Sequence, residues 1–362
     1  MINSHRVTAI AAVCVAVLLV ATACGSSSPS SQARSPIPSG SGASRSTASV
    51  GGPTLSASPT TAVSRTPGGL PVASSFPIVN SCDPKSVPNA IPVKQEIVAA
   101  ASLTLHVPIL EYHRIVPSAE AGHSLPGLVV PPDTFAAQLD APAAAGWHTI
   151  TMATLANDLE AGVEPPAKSF VITIDDGWDD GYTYAFAILA QHGFVATYFV
   201  IAGRIDLSSF LTSDHLKALV AAGDEIGDHT MSHFNLAGGS ASTRQFQVDA
   251  AAARIAQVTG HWPESLAYPF GSENAQSVAA VAACQELRSA VIESYRPPLQ
   301  PVGSQTPGAS GKPAASPAPK PAEVPVPSDT WANRFTLQRI RVSPGTTPAN
   351  LLGELDRYLR AG

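Results

Sequence analysis

From about position 100 onward, apolar residues fall into short unbroken runs separated by longer stretches where they recur every three or four positions. The runs at 107–111, 147–150, 170–174, 194–201, 225–227, 265–268, 289–292 and 337–342 have the length and composition of strands. The stretches at 133–145, 152–161, 182–192, 213–222, 242–259, 273–285 and 349–359 read as helices, with Asp133 placed to cap the first. Gly193, Gly223 and Gly260 directly follow three of these, where a residue tolerant of positive φ ends a helix. Strands that are apolar on both faces and alternate with amphipathic helices predict a parallel sheet covered by helices. Seven or eight such units predict a (β/α) barrel rather than an open sheet.

Composition narrows where that barrel can lie. The chain has 362 residues, 33 of them Pro and 27 Gly, and only 13% are charged. Between Gly25 and Phe76, 35 of 52 residues are Ser, Thr, Pro or Gly, with three Arg and no acid. Residues 297–328 hold ten Pro in 32 positions. Neither stretch can bury enough apolar surface to offset its ordering entropy. The remainder suits one large domain, expected over residues 91–362 and interrupted by a Pro-rich surface loop at 297–328. A linker to a second domain is the rival reading of that loop, but the 34 residues after it are too few to fold alone.

The N-terminus sets the compartment. Residues 7–23 are uncharged and follow Arg6, the pattern of a signal peptide spanning 1–23. Ala21-Thr22-Ala23-Cys24-Gly25 resembles a bacterial lipobox, in which Cys24 would be lipidated, although Ala21 stands where Leu is usual. The 24–90 stretch would then be a tether holding the domain off the outer face of the cell membrane. Of the remaining cysteines, Cys82 and Cys284 are free to pair in an exported protein, or to remain two separate thiols. The net charge is −6 and no basic stripe is present, so nucleic acid is not an expected partner.

The candidate chemistry lies at two strand ends. The 170–174 strand runs into Asp175-Asp176-Gly177-Trp178-Asp179-Asp180-Gly181. A turn and helix cap would use such residues. A calcium loop would not, because its twelfth position is Phe186 rather than Glu. The strand after next runs into Asp228-His229-Thr230-Met231-Ser232-His233. Two His at i and i+4 on a helical turn can reach one metal. Barrel enzymes build their sites at the C-terminal ends of strands. Asp176, His229 and His233 would give three ligands and leave a coordination position open, the pattern of a catalytic rather than a structural cation. Asp175 beside them could act as general base.

These residues carry a family resemblance. TIDDG at 173–177 resembles the TFDDG motif of the polysaccharide deacetylase family, HTMSH at 229–233 its H-[ST]-x-x-H motif, and AYPFG at 267–271 its R-x-P-[YF]-G motif. The resemblance implies a distorted (β/α)7 barrel, a divalent metal expected to be zinc, Asp175 as base, and the Phe270 backbone N–H on the oxyanion. The motif Arg is replaced here by Ala267, and no His follows His261 to supply the usual C-terminal acid. Pro108–Arg114 (PILEYHR) resembles the N-terminal segment of the poly-N-acetylglucosamine deacetylase branch, where this His, here His113, serves as the acid. Glu111, on the same strand face, is expected to hold that imidazole charged. Either Arg339 or Arg341 could replace the lost Arg.

The implied activity is hydrolysis of a non-peptide carbon–nitrogen bond, with acetate removed from an N-acetylated polysaccharide by a lipid-anchored monomer. An O-deacetylase acting on acetylated xylan would use the same residues, and a glycan-binding pseudoenzyme is the reading from another class. A two-His-one-carboxylate iron oxygenase shares the ligand set, but alternating α/β units are not its usual scaffold. Trp147, Trp178 and Trp262 are candidates either for the core or for sugar stacking.

Overall fold

The computed structural model describes residues 79–93, 103–293 and 326–361. The signal segment, Cys24 and most of the tether and Pro-rich stretch lie outside the described residues, and no described helix is long and apolar enough to cross a membrane.

Parallel strands form a nearly closed ring. In spatial order they are Leu337–Gln338, Ser289–Ile292, Ser265–Ala267, Glu225–Asp228, Thr197–Val200, Ser169–Ile174, Ile109–Tyr112 and Ile340–Arg341. The first and last of these flank Arg339 on one continuous segment, so the sheet closes on itself and the ring has seven staves. The expected strand 337–342 is therefore split. Leu337 registers with Val291 on one side and Ile340 with Leu110 on the other, and the segment changes neighbour at Arg339. His148–Ile150 stands outside the ring. It shares one edge of Ser169–Ile174 with Thr197–Val200, taking the lower half of that edge while Thr197–Val200 takes the upper. The barrel is distorted at this point.

All six residues of Ser169–Ile174 are buried, as their unbroken apolar run requires of a strand covered on both faces. The helices start and stop where local chemistry directs. Met152–Ala161 begins after Thr151, whose hydroxyl accepts from the Thr154 N–H, and ends at left-handed Gly162. Ser213–Ala222 lies between a Thr212 capping box and left-handed Gly223. Two expectations are corrected. Pro132–Ala144 is entered through Pro131, and Asp133 sits inside the first turn, accepting only from its neighbour Thr134. The 182–192 helix opens as a π-turn over Gly181–Phe186 before Ala187–His192, with Gly181 packed against the Tyr198 ring.

The tether boundary also moves. Residues 79–90, assigned to the tether by their polar composition, are ordered on the domain. Cys82 is bonded to Cys284, Asp83 caps a short turn at Pro84–Ser86, and Val87 and Ala90 are buried with Val248 and Trp262. The disulfide, these few apolar side chains and backbone bonds between Ile91 and both Gly260 and Trp262 dock the segment, and a count of Ser and Pro conceals them. At the far end of the Pro-rich stretch, Val326 packs on the core and the Pro327 carbonyl lies 2.8 Å from His106 Nδ1.

Candidate active site and metal centre

The C-terminal ends of the ring strands deliver the candidate residues to one mouth. Ile174 registers with Tyr112 and with Tyr198, and Val200 with Asp228, so the residues that follow, His113, Asp175 and His229, emerge at neighbouring positions. Asp175 continues its strand, and its N–H donates to the Tyr112 carbonyl at 3.0 Å. The chain then turns sharply. Asp176 takes φ 75°, and Gly177 follows at φ 71° with the space for its Cβ closed by Val200 at 3.1 Å. The reversal turns the Asp175 carboxylate into the barrel and leaves Asp176 at its rim, 1% and 19% exposed respectively.

His229 and His233 are not on a helical turn. Thr230 and His233 both have positive φ, 63° and 60°, so the five residues form an irregular loop. Helix Ala241–Thr259 holds that loop. The Gln247 carbonyl accepts from the Met231 N–H at 2.9 Å, and its side-chain oxygen accepts from the Ser232 N–H at 3.0 Å. The result still brings the imidazoles together, with ring centres 4.9 Å apart. Asp176 Oδ1 lies 3.7 Å from His229 Nε2 and 3.5 Å from His233 Nε2.

The donor set passes a simple geometric test for a cation. A tetrahedral ion with bonds of about 2.0–2.2 Å separates its ligand atoms by about 3.4 Å, close to both measured separations. The outer shell agrees. His229 Nδ1 donates to the Ala267 carbonyl at 2.8 Å, leaving Nε2 for the metal, and Trp178 Nε1 donates to Asp176 Oδ2 at 3.2 Å. Burial, reinforced by His229, pushes the His233 imidazole down to about 4, so it is neutral as a ligand must be. Left-handed backbone at Asp176, His233 and Phe270 costs about 1–3 kcal/mol each. Strain of this kind concentrates at functional sites.

Beside the ligands lies a second cluster of Glu111, His113 and Asp175. Two arginines enter it. Arg339, itself 2% exposed, donates to both oxygens of Asp175, at 2.7 and 2.8 Å, and to Thr173 Oγ1 at 3.1 Å. Arg341 donates to Glu111 Oε1 at 3.1 Å and pairs outward with Glu293. Two guanidinium groups already neutralise the carboxylates, so this cluster is charge-balanced without a cation. Burial alone would raise the Asp175 carboxyl, but Arg339 outweighs it and, with His229, holds the group well below the usual carboxylate range. His113 Nδ1 stands 3.8 Å from Glu111 Oε1. Phe270 is 64% exposed at the rim, its ring 4.5 Å from that of His233.

Residues 162–286 match the sequence model of the family described as polysaccharide deacetylase. This segment resembles the polysaccharide deacetylase family. YxkH of Bacillus subtilis, which carries a polysaccharide deacetylase designation, is 29% identical over 174 residues, 48% of this chain and 60% of that protein. The peptidoglycan-N-acetylglucosamine deacetylase of Bacillus cereus is 40% identical over 67 residues, 18% of this chain and 30% of that protein. The chain thus spans less than two thirds of either curated relative. Among solved structures, the fold resembles Streptococcus pyogenes deacetylase PplD in complex with acetate. The TM-score is 0.56 at 24% identity, covering 70% of this chain and 99% of the other. It also resembles BC0361, a polysaccharide deacetylase from Bacillus cereus, with TM-score 0.53 at 21% identity, covering 70% and 69%.

The deacetylase-family match contains Asp175, Asp176, His229, His233 and Phe270 but neither His113 nor Arg339. Only the closed barrel brings those two to the site. The choice left open between Arg339 and Arg341 is decided by register. Arg341 lies opposite Glu111 on the neighbouring strand and pairs with it, whereas Arg339, at the changeover, reaches Asp175. The sequence reading missed Gln247 and the Trp178–Asp176 bond, since neither follows a spacing rule. Trp178 is also closed to sugar stacking, with Arg114 over one face at 4.3 Å and Phe210 stacked at 4.5 Å. Trp147 and Trp262 are core residues, each 3% exposed. A cavity of about 630 Å³ lies at the opposite end of the barrel, beside Glu225, Glu264 and Arg288 where strands begin.

Proposed function

We propose that the protein is a metal-dependent hydrolase that removes acetyl groups from N-acetylated glycans, N-acetylglucosamine polymers of the envelope or extracellular matrix being its substrates. One observation carries the reading: an arginine-braced buried aspartate stands directly beside an Asp-His-His ligand set at the mouth of a parallel barrel. The nitrogen-rich ligand set Asp176, His229 and His233 suits zinc. When bound, that ion supplies Lewis acidity toward the acetamide carbonyl and lowers the pKa of water toward about 7. Asp175, ionised and fixed by Arg339, accepts a proton from the attacking water. The Phe270 N–H donates a hydrogen bond to the developing oxyanion. His113 donates a proton to the nitrogen of the sugar as the carbon–nitrogen bond breaks. The products are acetate and a free amine. On the sequence signals at residues 1–24, the protein is exported and anchored by a lipid on Cys24 at the outer face of the cell membrane.

The test is acetate release by the purified protein from N-acetylglucosamine oligomers, peptidoglycan and acetylated xylan, with bound metal quantified on the same sample. Release from the N-acetylated glycans is expected, falling about 10²–10⁴-fold in Asp175→Asn and lost on chelation until zinc is restored. Acetate from xylan alone would make the protein an O-deacetylase. No acetate from any substrate would overturn the reading.

A further inference from the structure

Strand Ile109–Tyr112 contributes three apolar side chains and one carboxylate, all buried. That carboxylate, Glu111, is 1% exposed, and burying it is costly unless it is paired. The barrel itself does not need it, because an apolar residue would pack between strands as its neighbours do. Its partners are all residues of the site. Arg341 donates twice to Oε1 at 3.1 Å, Arg339 Nε lies 3.5 Å from Oε2, and His113 Nδ1 lies 3.8 Å from Oε1. Arg339 in turn grips Asp175 through both terminal nitrogens. The charges therefore alternate from the base outward: Asp175, Arg339, Glu111, Arg341 and Glu293.

We infer that Glu111 is a positioning residue that holds the proton acceptor and the proton donor of the site in mutual register through one buried carboxylate. The inference rests on the deacetylase reading above. Toward the acceptor, Glu111 Oε2 faces Arg339 Nε at 3.5 Å as a charge contact while that N–H donates to the Ile292 carbonyl at 3.4 Å, and together they hold the guanidinium on its side away from Asp175. Toward the donor, Glu111 faces Nδ1 of His113, which turns Nε2 away from it. Both arginines keep a second acidic partner, Asp175 for Arg339 and Glu293 for Arg341. Removing the Glu111 charge therefore loosens the register without stranding a buried cation, and misplacement of about 1 Å is enough to slow a reaction about 10²-fold.

Glu111→Gln preserves size and an acceptor while deleting the charge. In the full-length zinc-loaded protein, kcat on N-acetylglucosamine oligomers is expected to fall about 10–100-fold, with KM, zinc content and unfolding midpoint close to the parent's. Glu111→Asp is expected to recover part of the loss. Unchanged kcat, or a fall in kcat that tracks lost zinc, overturns the inference. The His113 imidazole and Arg339 Nε–H NMR resonances, measured on the same proteins, provide a readout independent of turnover. They are expected to shift in Glu111→Gln while those of His261 stay in place, and unmoved signals overturn the inference. A parent protein that releases no acetate would count against the deacetylase reading, and these resonances would still decide the role of Glu111.

Discussion

Arg339 shows how one side chain can supply what a motif lacks. The position before the Tyr268-Pro269-Phe270 turn is Ala267, too small to reach Asp175, and the cation comes instead from the segment that closes the barrel. A buried ion pair adds little net stability when intact, but losing one partner is severe, because the other charge remains without water or counter-ion. Arg339→Met keeps the volume and leaves Asp175 buried and unpaired. Its urea unfolding free energy is expected to fall by about 3–5 kcal/mol, with acetate release reduced in parallel. A variant as stable as its parent would show that Asp175 simply takes up a proton at no cost to the fold. That Asp175, Asp176, His229 and His233 lie together at strand ends was legible, because each of the two motifs follows a strand run in the sequence. The left-handed backbone at Asp176, Thr230 and His233 was not, since positive φ is uncommon for any non-glycine residue and no local pattern marked these positions, the β-branched Thr230 least of all.

Elements were legible where local chemistry alone defines them. Helices Met152–Ala161 and Ser213–Ala222 and strand Ser289–Ile292 fall on their expected bounds because caps and turns border them. The π-turn at Gly181–Phe186 and the divided strand around Arg339 answer to distant partners, and no local pattern records those. A smaller pairing, Thr104–Leu105 with Asp329–Thr330, ties the start of the barrel to the return from the Pro-rich stretch. There the buried Asp329 carboxylate accepts from the Val107 N–H at 3.1 Å, and burial pushes it up to about 7. The folded state therefore holds this proton where an unfolded chain, with a carboxyl near 4, has released it. The contribution to stability is complete below about pH 4 and disappears as pH rises through about 7. Asp329→Asn keeps the acceptor without the titration. Between pH 5 and 8 the parent is expected to lose on the order of 2–4 kcal/mol more stability than this variant, read from unfolding curves. Parallel pH profiles would mean that Asp329 stays ionised in the folded protein.

At the scale of the molecule, Asp176, His229 and His233 come from two strand ends, and His113 and Arg339 come from two more segments. A cation at Asp176, His229 and His233 would bind the folded barrel and not the unfolded chain, so it should stabilise by mass action. At zinc about 100-fold above its dissociation constant the gain is about 2.7 kcal/mol, which for a domain of this size raises the unfolding midpoint by roughly 5–10 °C. His233→Ala is expected to abolish the shift. An equal shift in that variant would place the binding elsewhere.

The sequence by itself determined the βα rhythm, a barrel of seven or eight units and the two acidic and histidine motifs. Each of these is written in periodicities or spacings no longer than a single turn or strand. The count of seven staves was set by the strand His148–Ile150 standing outside the ring. Only the tertiary structure decided which arginine braces Asp175, that residues 79–90 dock on the domain, and that Glu111 lies beside both His113 and Arg339. Those outcomes depend on strand register and ring closure, which bring positions more than 160 residues apart within hydrogen-bonding distance. A linear pattern does not encode that proximity, because register is settled by the fit of all the staves at once.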